Sequence, residues 1–377
     1  MLGAKMFKPM IYAVLVVIVV ATLGCGGGGD TVLGPSLTDA RWGHTANTLK
    51  DGRVLVVGGQ QIPSKPFDTA EIFDPVSSTW SSAGKLSVKR GEGHSSVLLN
   101  DGSVLVFGDT DEGSAEIYEP ASGTWSVTGS MVDPRRWASA SVLEDGRVLV
   151  AGGSDVTKTG GSAFITAEIY DPSSGTWSSI APMMEEHYGQ SSASVGGKVI
   201  LFGEFLAEIY DPGTGMWSSG GVPAVPRAQG TNALVRKDGK IMVSGGEWQQ
   251  PGWYGQNHVM GTIQIFDPAT LQFDSESIPP MSSPRIYHYS FPQADGRIVM
   301  VGGAEVDGEP ETIEAYTPST NLWAPIANLS VPRGRLYTAN ELRDGRILIV
   351  GGKQETDDKK FVGIGSSEIY NPSAATE

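Results

Sequence analysis

A two-residue turn followed by an apolar strand ending in glycine returns seven times along this chain, and that recurrence predicts an all-β fold. The first copy reads Asp51-Gly52-Arg53-Val54-Leu55-Val56-Val57-Gly58-Gly59, and the others lie at 101–109, 145–153, 196–204, 238–246, 295–303 and 344–352. The turn glycines, at 52, 102, 146, 197, 239, 296 and 345, are spaced 50, 44, 51, 42, 57 and 49 residues apart. A period near fifty built only of strands, in a chain of 377 residues with 50 Gly and 23 Pro, predicts a seven-bladed β-propeller of four-stranded antiparallel blades. Such a ring is one closed unit of small sheets, so the length asks for no second core.

The four strands of a blade, A to D from the axis outward, follow from residue type. Strand A, at 44–49, 95–99 and 139–143 in the first three blades, is rich in Ser, Thr and Ala, which suit the crowded axis. The A–B link is Asp-Gly in six blades and Gly196-Gly197 in the fourth, pairs that tolerate the positive φ of a type I′ hairpin. Strand B, such as Val148-Leu149-Val150-Ala151, is a continuous apolar run, the pattern of a strand buried on both faces between neighbouring blades. Strand C alternates, as in Glu168-Ile169-Tyr170 and Glu208-Ile209-Tyr210, and leads into a turn such as Asp171-Pro172. Strand D carries Trp80, Trp125, Trp177, Trp217, Phe273 or Trp323, each large enough to fill the wedge that widens between blades away from the axis.

The seventh repeat reaches Glu368-Ile369-Tyr370-Asn371-Pro372 and has no strand D before Glu377. Residues 31–37 precede Arg41 and His44 at about the distance that strand D precedes Arg90 and His94. The N-terminal segment is therefore expected to close the ring as the outer strand of the last blade, with 31–33 paired to 367–370, which leaves no open sheet edge.

Ahead of the repeats, Lys5 and Lys8 precede a run at 10–23 that is almost wholly apolar. Its 14 residues span only about 21 Å as a helix, short of a ~30 Å bilayer core, so residues 1–24 read as a signal peptide. Cys25, the only cysteine, stands after Thr22-Leu23-Gly24, where cleavage would fall. That placement resembles a bacterial lipobox, although Thr22 and Leu23 depart from its preferred residues, and it makes Cys25 the expected site of lipidation. Residues 25–30 then form a Gly-rich tether and 31–377 the propeller, in a protein exported to a bacterial envelope. A single cysteine allows no intramolecular disulfide. Without its first 24 residues the chain carries 25 basic and 42 acidic residues. That balance argues against nucleic acid and against an anionic membrane surface, leaving membrane contact to the lipid alone.

The repeated residues resemble the kelch repeat. Its pattern has an Arg and often a His before strand A, Gly-Gly closing strand B, a Tyr in strand C and a Trp in strand D. The resemblance covers about 31–377, with departures at Gly108-Asp109 and Gly203-Glu204 and at Phe73 and Phe266. It implies a propeller with the architecture of the galactose oxidase central domain. The copper and Cys–Tyr crosslink of that enzyme are not expected here, because Cys25 lies outside the repeats. The run Asp109-Thr110-Asp111-Glu112-Gly113 resembles the start of a calcium loop, but Pro120 occupies its twelfth position. No metal or other cofactor is expected.

Binding is expected on the face shared by the B–C and D–A connections, where the long loops 154–166, 247–261, 304–311 and 353–366 gather on a rigid scaffold. Loop 247–261 holds Trp248, Trp253, Tyr254 and His258, which suit a sugar ring or an aliphatic patch, or else pack the loop on its own blade. The D–A junctions carry Arg41, Arg90, Arg135, Arg136, Arg227, Arg285, Arg333 and Arg335, with Glu185 and Glu186 in blade four. Guanidinium forks there suit carboxylates, or else bond carbonyls and acids of the scaffold. From these, Arg41, Arg90, Arg136, Arg227, Arg285 and Arg335 join Trp248, Trp253, Tyr254 and His258 as the candidate binding set. His44, His94, His187 and His288 recur near the start of strand A, which points to a shared structural role. The expected function is a monomeric, non-catalytic module that binds a protein or glycan. The alternative is a carbohydrate-active enzyme of sialate-mutarotase type on the same face, an analogy of fold alone.

Overall fold

The computed structural model describes residues 31–158, 162–249, 257–274, 278–304, 312–356 and 358–373. Seven antiparallel sheets stand around one axis, each a meander of strands A to D. In blade one these are Thr45–Thr48, Val54–Val57, Phe67–Asp74 and Thr79–Arg90. The Asp-Gly hairpin sets the A–B register, with Thr48 opposite Val54 and Thr45 opposite Val57. In that hairpin the Asp51 side chain accepts from the Arg53 amide at 3.0 Å, and Gly52 takes a φ of 93°, which a Cβ would strain. The same geometry repeats at Asp145 and Asp344.

The apolar residues of strand B are buried in every blade, and the core divides between the blades rather than within them. One cluster joins Leu55, Val57, Ala70 and Ile72 of blade one to Val104, Val106 and Tyr118 of blade two. Six more clusters of this kind complete the circle, the last joining Leu342, Leu348 and Val350 of blade seven to Val54, Val56 and Phe73 of blade one. Farther out, each strand-D Trp leans on the strand-C aromatic of its own blade, as Trp125 does on Tyr118 with ring centroids 5.0 Å apart. Its indole N–H reaches back to the preceding blade: Trp125 donates to Ala83 O (2.8 Å), Trp177 to Gly129 O (2.8 Å) and Trp217 to Ala181 O (3.0 Å). Each aromatic thus fills the wedge and ties two blades together.

Residues Val32–Leu33 lie as the outermost strand of blade seven, antiparallel to Ser367–Tyr370, with Val32 opposite Ile369 and Leu33 opposite Glu368. Pro35 O takes the Trp80 indole N–H at 3.1 Å, the same role that Ala83 O plays for Trp125. Thr31 is anchored through its amide to Asn328 O (3.3 Å) and through its hydroxyl to Glu368.

A ring inserted over the first glycine of a Gly-Gly pair joins several blades near the axis. His44 packs over Gly351, His94 over Gly58, His288 over Gly245 and Tyr337 over Gly302, each on the preceding blade; a Cβ at Gly58 would sit 3.0 Å from His94 Cε1. His94 donates from Nδ1 to Gly91 O at 2.7 Å, and His288 Nε2 meets Ser244 Oγ at 2.8 Å. Three of the four predicted histidines share this structural place. His187 does not; its imidazole stands where other blades hold an arginine, 2.8 Å from Glu208.

Two predictions follow from these joints. Deleting residues 26–38 exposes the edge of blade seven and empties part of the last interface, so the melting temperature should fall sharply; an unchanged value would show that closure contributes nothing. Burial holds the His94 imidazole down to about 4 and that of His288 down to about 3. In the unfolded chain both regain the ordinary value near 6.5, so below that pH the unfolded state binds more protons. Their neutral-state contribution is complete above pH ~6.5 and is lost as pH falls toward about 4, at about 1.4 kcal/mol per pH unit for each histidine. Urea denaturation across this range should show that slope, reduced in the His94→Asn, His288→Asn double variant.

Candidate site at the mouth of the propeller

A buried acid–base pair sets the backbone at the D–A junction. In blade one Arg41 Nη2 lies 2.9 Å from Glu71 Oε1 of strand C, and its Nη1 donates to Gly58 O at the end of strand B (2.8 Å). The second Glu71 oxygen accepts the Thr38 amide at 2.8 Å. The unit repeats as Arg90–Glu116 (3.4 Å), Arg135–Glu168 (2.8 Å), Arg285–Glu314 and Arg333–Glu368 (2.7 Å). Blade four replaces the cation with His187. Blade five replaces the acid with Gln264, whose Oε1 accepts from Arg227 Nε at 3.1 Å while its Nε2 has no partner among the described residues. Lacking a carboxylate, Arg227 is pulled by burial down to about 10.

Just beyond this pair the chain turns through the left-handed region in every blade. Gly43 (φ 66°), Gly93 (98°), Trp137 (58°), Gly189 (65°), Gly230 (70°), Tyr287 (55°) and Leu336 (66°) form a belt around the axis. Five of their amides donate to the belt residue of the preceding blade: Gly43 to Leu336 (2.8 Å), Trp137 to Gly93 (2.8 Å), Gly189 to Trp137 (3.1 Å), Gly230 to Gly189 (3.3 Å) and Tyr287 to Gly230 (2.9 Å). Three belt members are not glycine, and each holds a conformation that costs an L-residue about 1–2 kcal/mol.

Trp42, Glu92, Arg136, Tyr188, Gln229 and Arg335 precede belt residues, and in blade six Tyr287 is itself one; all but the buried Trp42 are half-buried or exposed at the mouth. Arg136 crosses over Gly93, where a Cβ would lie 3.0 Å from Arg136 Cβ, so glycine makes room for it. The Tyr287 hydroxyl donates to Gln229 Oε1 (3.2 Å), and Gln229 Nε2 donates in turn to the buried Glu247 carboxylate. Arg335 lies 6.0 Å from the Tyr287 ring centroid. Lys353, at the start of the seventh B–C loop, sits 4.7 Å over Trp42 and 3.8 Å over Phe361.

The charges of this ring feel one another. Burial pushes the Glu92 carboxyl up, against the pull of Lys353 and Arg136. Asp109, which replaces the second glycine of its pair at a φ of 57°, accepts the Gly91 amide at 2.8 Å and is pushed by burial up to about 6. The Tyr188 phenol is raised by burial beside Arg136 and Glu92, and that of Tyr287 by burial beside Glu247 and Arg335, to about 12. Arg136, Arg335, Lys353 and Glu92 are half-buried or exposed and have no ion-pair partner among the described residues, whereas Arg41, Arg90, Arg135, Arg285 and Arg333 are all paired and buried.

The predicted binding residues therefore divide. Arg41, Arg90 and Arg285 are spent on scaffold carboxylates, and Arg227, equally buried, on Gln264, Gly245 O and Thr262. Arg136 and Arg335 reach the mouth. Trp248 and His258 are cross-strand partners on a β-ribbon, Glu247–Gln249 against Asn257–Val259, with ring centroids 6.4 Å apart; Trp248 is half-buried and His258 exposed. Trp253 and Tyr254 lie outside the described residues, as does Cys25. A second ribbon, Lys353–Glu355 with Phe361–Gly363, rises on blade seven. Sequence reasoning missed Glu92, Tyr188, Gln229, Tyr287 and Lys353. Their shared signal is position: two residues beyond the junction arginine, directly after His187 in blade four, or just after Gly-Gly. On the opposite face a cleft of about 200 Å³ opens between blades five and six, where Lys237 Nζ donates to the carbonyls of Gln293 (3.1 Å) and Ala294 (2.9 Å). Among the described residues no three His, Cys, Asp or Glu side chains are placed to hold a metal ion.

Comparison with known proteins accords with this architecture. The family model described as the kelch motif matches residues 43–87 and 140–184, within blades one and three. Kelch-like protein 33 of Homo sapiens is 26% identical over 137 residues, 35% of this chain and 24% of that protein, so the match spans about a quarter of the relative's length. A solved structure of a fungal alcohol oxidase of the AA5 family, in complex with copper, superposes with a TM-score of 0.72 over 91% of this chain and 76% of that one, at 19% identity, a likeness of fold. The chain thus carries kelch motifs in two blades of a seven-bladed β-propeller.

The neighbours Arg135 and Arg136 give a direct test of the division. Arg135→Ala strands Glu168 and should cost about 3–5 kcal/mol of unfolding free energy. Arg136→Gln should change stability by no more than about 0.5 kcal/mol. Equal losses in urea denaturation would return Arg136 to the scaffold.

Proposed function

We propose that this propeller is a non-catalytic binding module of the cell envelope that recognises a protein or glycan through its B–C/D–A face. Kelch-repeat propellers typically serve protein interaction. One observation carries the reading: the mouth holds Arg136, Arg335, Lys353 and Glu92 without ion-pair partners among the described residues, beside the left-handed belt of the D–A junctions. The ribbons of blades five and seven add Trp248, His258 and Phe361 to the same face.

The raised carboxyls of Asp109 and Glu92 favour a second reading, a carbohydrate-active enzyme using them as acid and base at the mouth. Turnover would separate the two. An NMR assay of anomer exchange in sugar acids should show no acceleration by the module, and acceleration abolished by Glu92→Gln would establish the enzyme.

Cys25, acylated after signal cleavage, would tether the protein. The six peptide steps from Cys25 to Thr31 reach about 20 Å at most. Strand Val32–Leu33 runs antiparallel to Ser367–Tyr370, hence from the short-turn face toward the D–A junction. The lipid would hold the short-turn face toward the membrane and leave the mouth open to partners.

A glycan and peptide array probed with residues 30–377 tests the binding reading. The expected hit is weakened by about 1–3 kcal/mol in Trp248→Ala or Trp253→Ala, the range for an interface anchor. An array without hits would remove it. Labels on Val76→Cys, in a C–D turn, and Glu355→Cys, on the blade-seven ribbon, test the orientation. Stronger quenching by bilayer probes at position 355 would reverse it.

A further inference from the structure

Four joints of the ring are closed on the short-turn face by a leucine at the end of strand A. Leu49, Leu99, Leu143 and Leu342 are buried, each in one cluster with a strand-B residue and the strand-C aromatic of the following blade. Leu49 packs with Val104 and Tyr118, Leu99 with Val148 and Tyr170, Leu143 with Val199 and Tyr210, and Leu342 with Val54 and Phe73. The leucine amide bonds a carbonyl four residues on, as Leu143 N does to Arg147 O at 2.8 Å, and Arg236 makes the same bond to Lys240 O at 2.8 Å. Blade five therefore has an arginine where a leucine would cover Ile298 and Tyr316 of blade six, and that arginine is drawn to Asp238, 2.9 Å away. What the missing leucine leaves is the cleft of about 200 Å³, walled by Leu234, Pro292, Ile298, Tyr316 and Pro318.

The charge of this joint is inverted as well. The corresponding groove between blades two and three is lined by Asp101, Asp145, Asp171 and a single cation, Arg147. Between blades five and six the charged lining is Arg236, Lys237, Arg297 and a single acid, Asp238. The two guanidinium groups are answered, by Asp238 at 2.9 Å and by Asp295 at 2.6 Å. Lys237 differs: its Nζ reaches across from blade five to the carbonyls of Gln293 (3.1 Å) and Ala294 (2.9 Å) in blade six, and it has no ion-pair partner among the described residues. An ammonium has three N–H donors, so one remains for an incoming acceptor.

We propose that the cleft between blades five and six is a binding site for a small aromatic carboxylate, with its ring against Leu234, Ile298 and Tyr316 and its carboxylate on the Lys237 ammonium. The site lies on the face opposite the mouth and is independent of the binding reading above. The walls set the body of the ligand: an apolar cavity of about 150 Å³ is already enough for a benzene ring, and Tyr316, Pro292 and Pro318 offer ring faces that suit another ring. The rim sets its charge. A cationic ligand would meet three like charges, and a neutral one would leave the spare Lys237 donor unused. A mineral anion would leave the apolar walls in water, so neither half of the site favours a ligand that lacks the other.

The test is a fluorescence titration of residues 30–377, which contain every blade and the closing strand, with 2-naphthoate as probe and 2-naphthylmethanol as its neutral counterpart. Naphthoate should bind saturably and about tenfold more tightly than the alcohol. Lys237→Gln should weaken naphthoate by about the same factor and leave the alcohol unchanged. Arg236→Leu restores the leucine of the other joints, so it should weaken naphthoate at least about tenfold without lowering the melting temperature. Should that variant fail to fold, methyl-labelled wild type should show nuclear Overhauser contacts from naphthoate to the methyl groups of Leu234 and Ile298. No saturable binding, equal binding of the alcohol, naphthoate binding undiminished in Lys237→Gln or in folded Arg236→Leu, or Overhauser contacts confined to other residues overturns the proposal.

Discussion

A buried arginine clamped to a buried glutamate is the interaction on which this molecule is organised. Each pair joins three parts of a blade that are distant in sequence: the junction entering the blade, the end of strand B and the middle of strand C. Glu168 accepts the amides of Val132 (2.7 Å) and Asp133 (3.0 Å) as well as Arg135, so the acid is saturated and the junction is pinned in height. The pair by itself is no large source of stability, because two charges must first leave water. Its value is positional. With the junction fixed, the next residues must turn through the left-handed region to enter strand A, and the side chains beside that turn stand at the mouth.

Cohesion between blades comes from less costly contacts. Continuous apolar strands bury both faces, an indole N–H spans each outer wedge in blades that have a Trp, and a His or Tyr ring covers a glycine near the axis in four of the joints. Because each contact reaches only to the preceding blade, the ring has a seam, and Val32 and Leu33 pair across it with Ile369 and Glu368.

The strands were legible because their causes are local. Asp-Gly fixes a hairpin, and four apolar residues in a row need two buried faces. The site was less legible for the opposite reason. Whether an arginine faces solvent or a carboxylate depends on a residue about thirty positions later, and Glu71, Glu168 and Glu314 look in sequence like ordinary alternation in strand C. Arg135 and Arg136 are chemically alike in sequence, yet only the second is open to the mouth. His187 looks in sequence like the strand-A histidines, yet it stands at the junction-arginine position, two residues before Gly189, and its ring meets Glu208. Glu92, Tyr188, Gln229 and Tyr287 share a position but no chemistry, so a search for what repeats passes over the residues that differ.

Blade five departs from its neighbours in two ways that act together. Gln264 stands where a carboxylate would clamp Arg227, and Phe273 stands where a Trp would donate to the blade before it. Both ties, the polar one near the mouth and the aromatic one at the rim, are thus weakened in the same sector, and that sector carries the Trp248–His258 ribbon. Amide exchange through partial opening should be fastest there, because the free energy of local unfolding is set by such ties. A propeller that is otherwise a stiff hoop has, in effect, one compliant staves-and-seam segment, and an incoming partner would meet the part of the rim that yields first.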